Sequence, residues 1–144
     1  MKRFFKLPLA IIILLTALTA GAPAQTSSSQ RVIANIPFAF TAANKTLPAG
    51  KYTITVLNSS SDRRALQFRS MNGRFSVIVL TNGVIGNISD DAKLVFERYD
   101  DRYFFSNAQL AGDSTTLAAL RTNKEHKHAV ATAKKKSVVV ISAG

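Results

Sequence analysis

The side chains with the widest chemical reach in this chain of 144 residues lie toward its C-terminal end. There Arg121, Lys124, Lys127, Lys134, Lys135 and Lys136 stand against Glu125 alone and give the stretch a local +5. A patch of that sign attracts polyanions. Outside the cytoplasm these are anionic lipid headgroups, lipopolysaccharide, acidic polysaccharide or stray nucleic acid, all bound more weakly as salt rises. The six residues are the candidate polyanion contacts, and the partner they imply is anionic envelope lipid or polysaccharide, weakly held. The plainer reading of the same lysines is that they keep an exported domain in solution. A nucleic-acid reader of the stacking type would expose aromatics among its basic residues. Here the aromatics alternate within strand-like segments that assign them to the core, so no specific nucleic-acid partner is expected.

Other residues with catalytic or ligating chemistry are few. His126 and His128 are the two histidines. A spacing of two places them about 200° apart on a helix, so they do not share a metal there, and no carboxylate pattern completes a site. Nucleophilic catalysis needs a Cys or Ser beside a positioned base, and the chain has no Cys and no G-x-S-x-G elbow. The pairs Asp90-Asp91 and Asp100-Asp101 could in principle act as acid and base or hold calcium. Turn chemistry accounts for them more simply, because Asp favours turns and no EF-hand spacing surrounds them. No catalytic, cofactor or metal residue is assigned, and the expectation is a protein that is not an enzyme.

Whatever these residues do, they are expected to do it outside the cytoplasm. Lys2, Arg3 and Lys6 precede an apolar run from Leu7 to Leu18, and small residues come next at Ala22-Pro23-Ala24. That pattern predicts a secretory signal peptide over 1–24, cleaved after Ala24, and a secreted or periplasmic protein. A spanning helix needs about 20 predominantly apolar residues, and this run is shorter and interrupted by Pro8. The absence of cysteine excludes both a disulfide framework and a lipid-bearing cysteine. Three of the 19 basic residues and none of the 8 acidic ones fall in the leader, so the remainder carries a net +8. Residues 25–30 read as a flexible lead-in, and 31–144 as a single β-rich domain, long enough to bury a core.

Within that domain the period is two. Val32, Ala34, Ile36, Phe38 and Phe40 fall on one side of an extended segment, with Pro37 marking a sheet edge or a bulge. Leu47-Pro48-Ala49-Gly50 reads as a type I corner leading into the alternation Tyr52, Ile54, Val56. Asn72-Gly73 signals a hairpin of type I′, which pairs Ser70 with Phe75, Phe68 with Val77 and Leu66 with Val79. A two-residue loop at Asp100-Asp101 sets Phe96 opposite Phe105, Arg98 opposite Tyr103, as a cation–π neighbour, and Leu94 opposite Asn107. Thr81 to Asp91 reads as a long connection. Ala111-Gly112-Asp113-Ser114 reads as a breaker and candidate helix cap before a helix near 115–135, and 137–142 as a final β-branched strand. The expected fold is mainly β: an antiparallel β-sandwich or partly closed barrel of about seven strands with one peripheral C-terminal helix.

Two stretches carry a resemblance. Ile36-Pro37-Phe38 through Tyr52 and Ala92-Lys93-Leu94-Val95-Phe96 through Phe105 resemble the "IPFxFxxxxKTLPAGxY" and "AKLVFxRYxDxYF" motifs of small secreted bacterial β-domain proteins of uncharacterised function. The resemblance covers most of the chain after the leader. It implies an exported β-domain and brings no activity, ligand or site residue. The resulting expectation is a non-catalytic exported domain that acts by binding or as an envelope component. The rival expectations are a small β-barrel enclosing an apolar ligand among Phe38, Phe40, Phe68, Phe96 or Phe105, and an unrecognised hydrolase with a perturbed carboxylate or histidine.

Overall fold

The computed structural model describes residues 30–59, 64–122, 127 and 136–144. The expected leader, His126, His128, Lys124, Lys134 and Lys135 lie outside the described residues.

Among the described residues, ten strands make one sheet around one core. β1 (Arg31–Ile36) stops at Pro37, which has no N–H to continue a ladder. The expected first strand is thus two: β2 (Phe40–Ala42) resumes after the proline and turns directly into β3 (Lys45–Leu47). Ala43 and Asn44, at φ 47° and 65°, form that tight turn. An alanine in the left-handed region is what hides the hairpin from sequence reading. Pro48 and Ala49 then make the anticipated corner into β4 (Gly50–Leu57), which pairs antiparallel with β1 on one side and β5 (Ala65–Ser70) on the other.

The Asn72-Gly73 hairpin forms with the anticipated register: Phe68 faces Val77 and Leu66 faces Val79, and Ser70 N–H donates to the Phe75 carbonyl at 2.9 Å. Its turn differs from type I′. Only Gly73 has positive φ, at 72°, while Asn72 Oδ1 accepts from Ser70 Oγ (2.7 Å) and Arg74 N (3.1 Å). Those side-chain bonds brace Asn72, whose φ is not positive, and leave the left-handed conformation to glycine.

β6 (Ser76–Ile85) corrects the connection expected from Thr81 onward. Its first half pairs with β5. Its second half runs through Asn82-Gly83 and pairs with β9 (Thr115–Ala119). Thr81, fully buried at the change of partner, donates through N (3.0 Å) and Oγ1 (2.7 Å) to the Arg64 carbonyl.

β9 also corrects the start of the helix expected near 115–135. Asp113 Oδ1 does accept from Thr115 N at 2.8 Å, the bond a cap would make, but a strand rather than a helix follows it. The segment is extended because Leu117 finds a buried slot between β6 and β8 (Arg102–Gln109), opposite Ala108. Tertiary pairing overrides helix propensity here. Residues 123–126 and 128–135 of the expected helix lie outside the described residues, and no peripheral helix is shown.

β7 (Ala92–Tyr99) and β8 form the second anticipated hairpin, with Phe96 opposite Phe105 and Arg98 opposite Tyr103. Leu94, however, faces Ala108 rather than Asn107. Ser106 is an extra residue on β8, a bulge that shifts phase so that Phe105, Ala108 and Leu110 all reach the core. β10 (Lys136–Ala143) is the final strand and pairs antiparallel with β7. The sheet is open, and its two ends touch at one place, where Ile33 and Gly144 exchange backbone hydrogen bonds of 3.0 and 3.1 Å.

Of the five phenylalanines considered as a cavity lining, Phe40, Phe68, Phe96 and Phe105 are buried against one another and Phe38 packs half-buried beside them. Phe40 touches the rings of Tyr52, Phe68 and Phe96, Phe105 bridges Phe68 and Phe96, and Phe38 stacks on Tyr103 with centroids 3.9 Å apart. Edge-to-face contacts of this kind add about 1 kcal/mol each beyond area burial.

Candidate binding surface

Of the six candidate polyanion contacts, the structure describes Arg121, Lys127 and, in backbone, Lys136. Lys127 is exposed, and Lys136 opens β10 opposite Tyr99. Arg121 is already engaged. Its Nη2 donates to Glu97 Oε2, which also accepts from Tyr99 Oη at 2.8 Å, while Ser106 Oγ lies 3.4 Å from Oε1. Glu97 is only 7 % exposed, so its charge needs these donors. Burial works against the Arg121 charge, but the adjacent carboxylate and the Tyr99 hydroxyl outweigh it and raise the guanidinium pKa further. The Ser106 bulge, invisible to simple alternation, aims its hydroxyl at this cluster. Tyr99 stacks edge-on against Phe104 beside it.

The acidic pairs sit in turns. Asp90 and Asp91 are exposed in the β6–β7 connection, Asp100 takes φ 51° in the β7–β8 turn, and Asp101 lies 3.6 Å from Arg98. Arg98 also donates through Nε to the Asp100 carbonyl and lies 5.6 Å from the Tyr103 ring centroid, the expected cation–π neighbour. Among the described residues no group of three or more His, Cys, Asp or Glu could hold a metal ion, and no helix is long and apolar enough to cross a membrane.

A different basic surface, missed in the sequence reading, is assembled by strand register. On β1, β4, β5 and β6 the inward residues are apolar: Ala34 and Ile36, Tyr52, Ile54 and Val56, Leu66 and Phe68, Val79. Alternation sends Arg31, Ile33 and Asn35, Lys51, Thr53 and Thr55, Gln67 and Arg69, Ser76 and Ile78 to the outer face. Arg31, Thr55, Gln67 and Ile78 form one row across the four strands. Ile33, Thr53, Arg69 and Ser76 form the next, and Asn35, Lys51 and Met71 a third. Arg74 extends the charge into the hairpin turn, and Lys45 Nζ reaches its edge, donating to the Ser76 carbonyl at 2.9 Å. No Asp or Glu belongs to these strands; the nearest in sequence, Asp62, lies outside the described residues. The signal available in advance was that the chain has no acidic residue before Asp62.

Beside this face, the Pro48–Gly50 corner and the Ser70–Asn72 turn enclose a shallow cleft of about 190 Å³, with Lys51, Tyr52, Met71 and Phe75 in its walls. Tyr52 Oη donates to the Pro48 carbonyl at 2.6 Å and ties the corner to the sheet, and its burial pushes the phenol pKa up. Lys51 carbonyl accepts from Met71 N at 3.0 Å, so corner and turn are bound to each other.

Comparison with protein-family models, with curated proteins and with solved structures finds no significant match to this chain.

Proposed function

We propose that the protein is an exported, non-catalytic β-domain of the bacterial envelope that works by binding anionic envelope material, lipid or polysaccharide. The observation that carries this reading is how the charges are used. Glu97, Asp113 and Asp101 are each paired with an arginine, whereas Arg31, Lys51, Arg69 and Arg74 point outward with no carboxylate on their face among the described residues. The predicted leader sends such a domain to a compartment rich in polyanions, and the resemblance to small secreted β-domains agrees with it. The packed aromatic interior favours surface binding over an enclosed apolar ligand. Of the C-terminal group Arg121, Lys124, Lys127, Lys134, Lys135 and Lys136, Arg121 is occupied by Glu97, so the reading rests on the sheet face rather than on that group.

The experiment is export and then co-sedimentation. The secreted or periplasmic form should begin at Gln25, and it should sediment with isolated envelopes at low salt and be released as salt rises. Retention of the full-length chain in the cytoplasm, or sedimentation indifferent to salt, would sink the reading.

A further inference from the structure

We infer that the outer face of β1, β4, β5 and β6 is a docking surface for an acidic polysaccharide. This rests on the proposed envelope-binding function and names the surface and the partner. The charges there are spaced rather than clustered. Lys51 and Arg69 are diagonal neighbours on adjacent strands, about 7–8 Å apart at the backbone. Arg31 lies two strands and two residues from Arg69, roughly 12 Å away. Cations spread in this way can be met one after another by the anionic groups along one extended polymer.

The groups between the cations suit the same partner. Thr53, Thr55, Gln67, Asn35 and Ser76 offer hydroxyl and amide groups to sugar hydroxyls. Ile33, Ile78 and Leu80, exposed at 43 %, 50 % and 61 %, offer apolar contacts to the C–H faces of sugar rings. A bilayer would call for contiguous apolar side chains to insert. Here Ile33 on β1 stands apart from Ile78 and Leu80 on β6, with the polar residues of β4 and β5 between them, so the apolar side chains do not run across the face. The face is built on a rigid base, because each outward residue alternates with one in the aromatic core, so docking needs no rearrangement.

The test uses the mature chain, heparin and polygalacturonate as probes, and two variants that each remove four positive charges. The face variant is R31Q/K51Q/R69Q/R74Q, and the tail variant is K124Q/K127Q/K134Q/K135Q. The face variant should lose roughly a hundredfold in affinity for both polymers at low salt, and its affinity should depend less on salt. The tail variant should lose less than about threefold. Equal losses in both would show that net charge alone acts and would overturn the docking surface, as would a loss confined to the tail variant. If phosphatidylglycerol vesicles bind the wild type and neither polymer does, the polysaccharide is the wrong partner while envelope binding survives. If wild type binds neither polymers, vesicles nor envelopes, both readings fall. Should the face variant not fold, acetylation footprinting of the wild type decides: Lys51 should be protected by polymer and Lys93, exposed on β7, should not. Equal reactivity of Lys51 with and without polymer overturns the inference.

Discussion

The Arg121 guanidinium is held by the Glu97 carboxylate, across 24 residues of sequence, on the face of β7 that points away from the aromatic core. Such a buried carboxylate is stabilised by its donors, and without the Arg121 cation it loses its counterion. Arg121→Ala should therefore cost about 2 kcal/mol, read from urea unfolding. Glu97→Gln should cost less, and the double variant less than the sum of the two. Additive losses would mean the pair is not coupled. Because Glu97 neutralises Arg121, Arg121→Gln should leave heparin retention of the folded protein nearly unchanged.

Two turn residues should respond unequally. Gly73 has φ 72° and open space around a would-be Cβ, so Gly73→Ala costs backbone strain alone, about 1 kcal/mol. Ala43 already bears that strain at φ 47°, and its methyl packs against the core. In Ala43→Gly the relieved strain is offset by the lost methyl contact and the added freedom of the unfolded chain, so stability should change by less than about 0.5 kcal/mol. Thermal unfolding of both variants checks this, and a Gly73→Ala variant as stable as the wild type would contradict the left-handed turn at Gly73.

Asp113 supplies a pH dependence. The Thr115 N–H holds its carboxyl below the ordinary value of 3.8, burial opposes this, and Arg64, 3.1 Å away, adds to the lowering. With the folded pKa depressed, the unfolded chain binds the proton first. The contribution is therefore fully present above 3.8 and lost as pH falls through the lower folded value. The stability difference between wild type and Asp113→Asn should be constant from neutral pH to about pH 5 and shrink below 3.8. A difference that grows on acidification would reverse the assignment.

Tyr52→Phe removes the one bond from Tyr52 Oη to the Pro48 carbonyl and leaves the ring packed on Phe40. It should cost about 1 kcal/mol and increase amide exchange in the Pro48–Lys51 corner. Unaltered exchange there would show that the phenol does not hold the corner.

Much of the sheet could be read from neighbouring residues. Alternation located β1, β4, β5, β7, β8 and the first half of β6, a β-branched run located β10, and Asn72-Gly73 and Asp100-Asp101 set two registers near the turns that define them. The errors share a cause. The Thr115–Ala119 segment has helix-forming composition after Asp113, but Leu117 meets Ala108 across the β8–β9 turn and, far away in sequence, the second half of β6, which Asn82-Gly83 hides. The bulge at Ser106 matters only because Glu97 and Leu94 lie across from it. Likewise, the missing acids before Asp62 are visible in the chain itself, while the single face that Arg31, Lys51 and Arg69 share is not.

Taken alone, the sequence determined what short-range sterics and two-residue alternation control: where strands run, where they turn, and which side chains leave water. Tertiary structure alone decided which strands became neighbours, that a helix-like segment would be β9, and that scattered cations would form one surface. Those outcomes depend on contacts between segments far apart in the chain, whose closure entropy is offset only when the whole core forms at once.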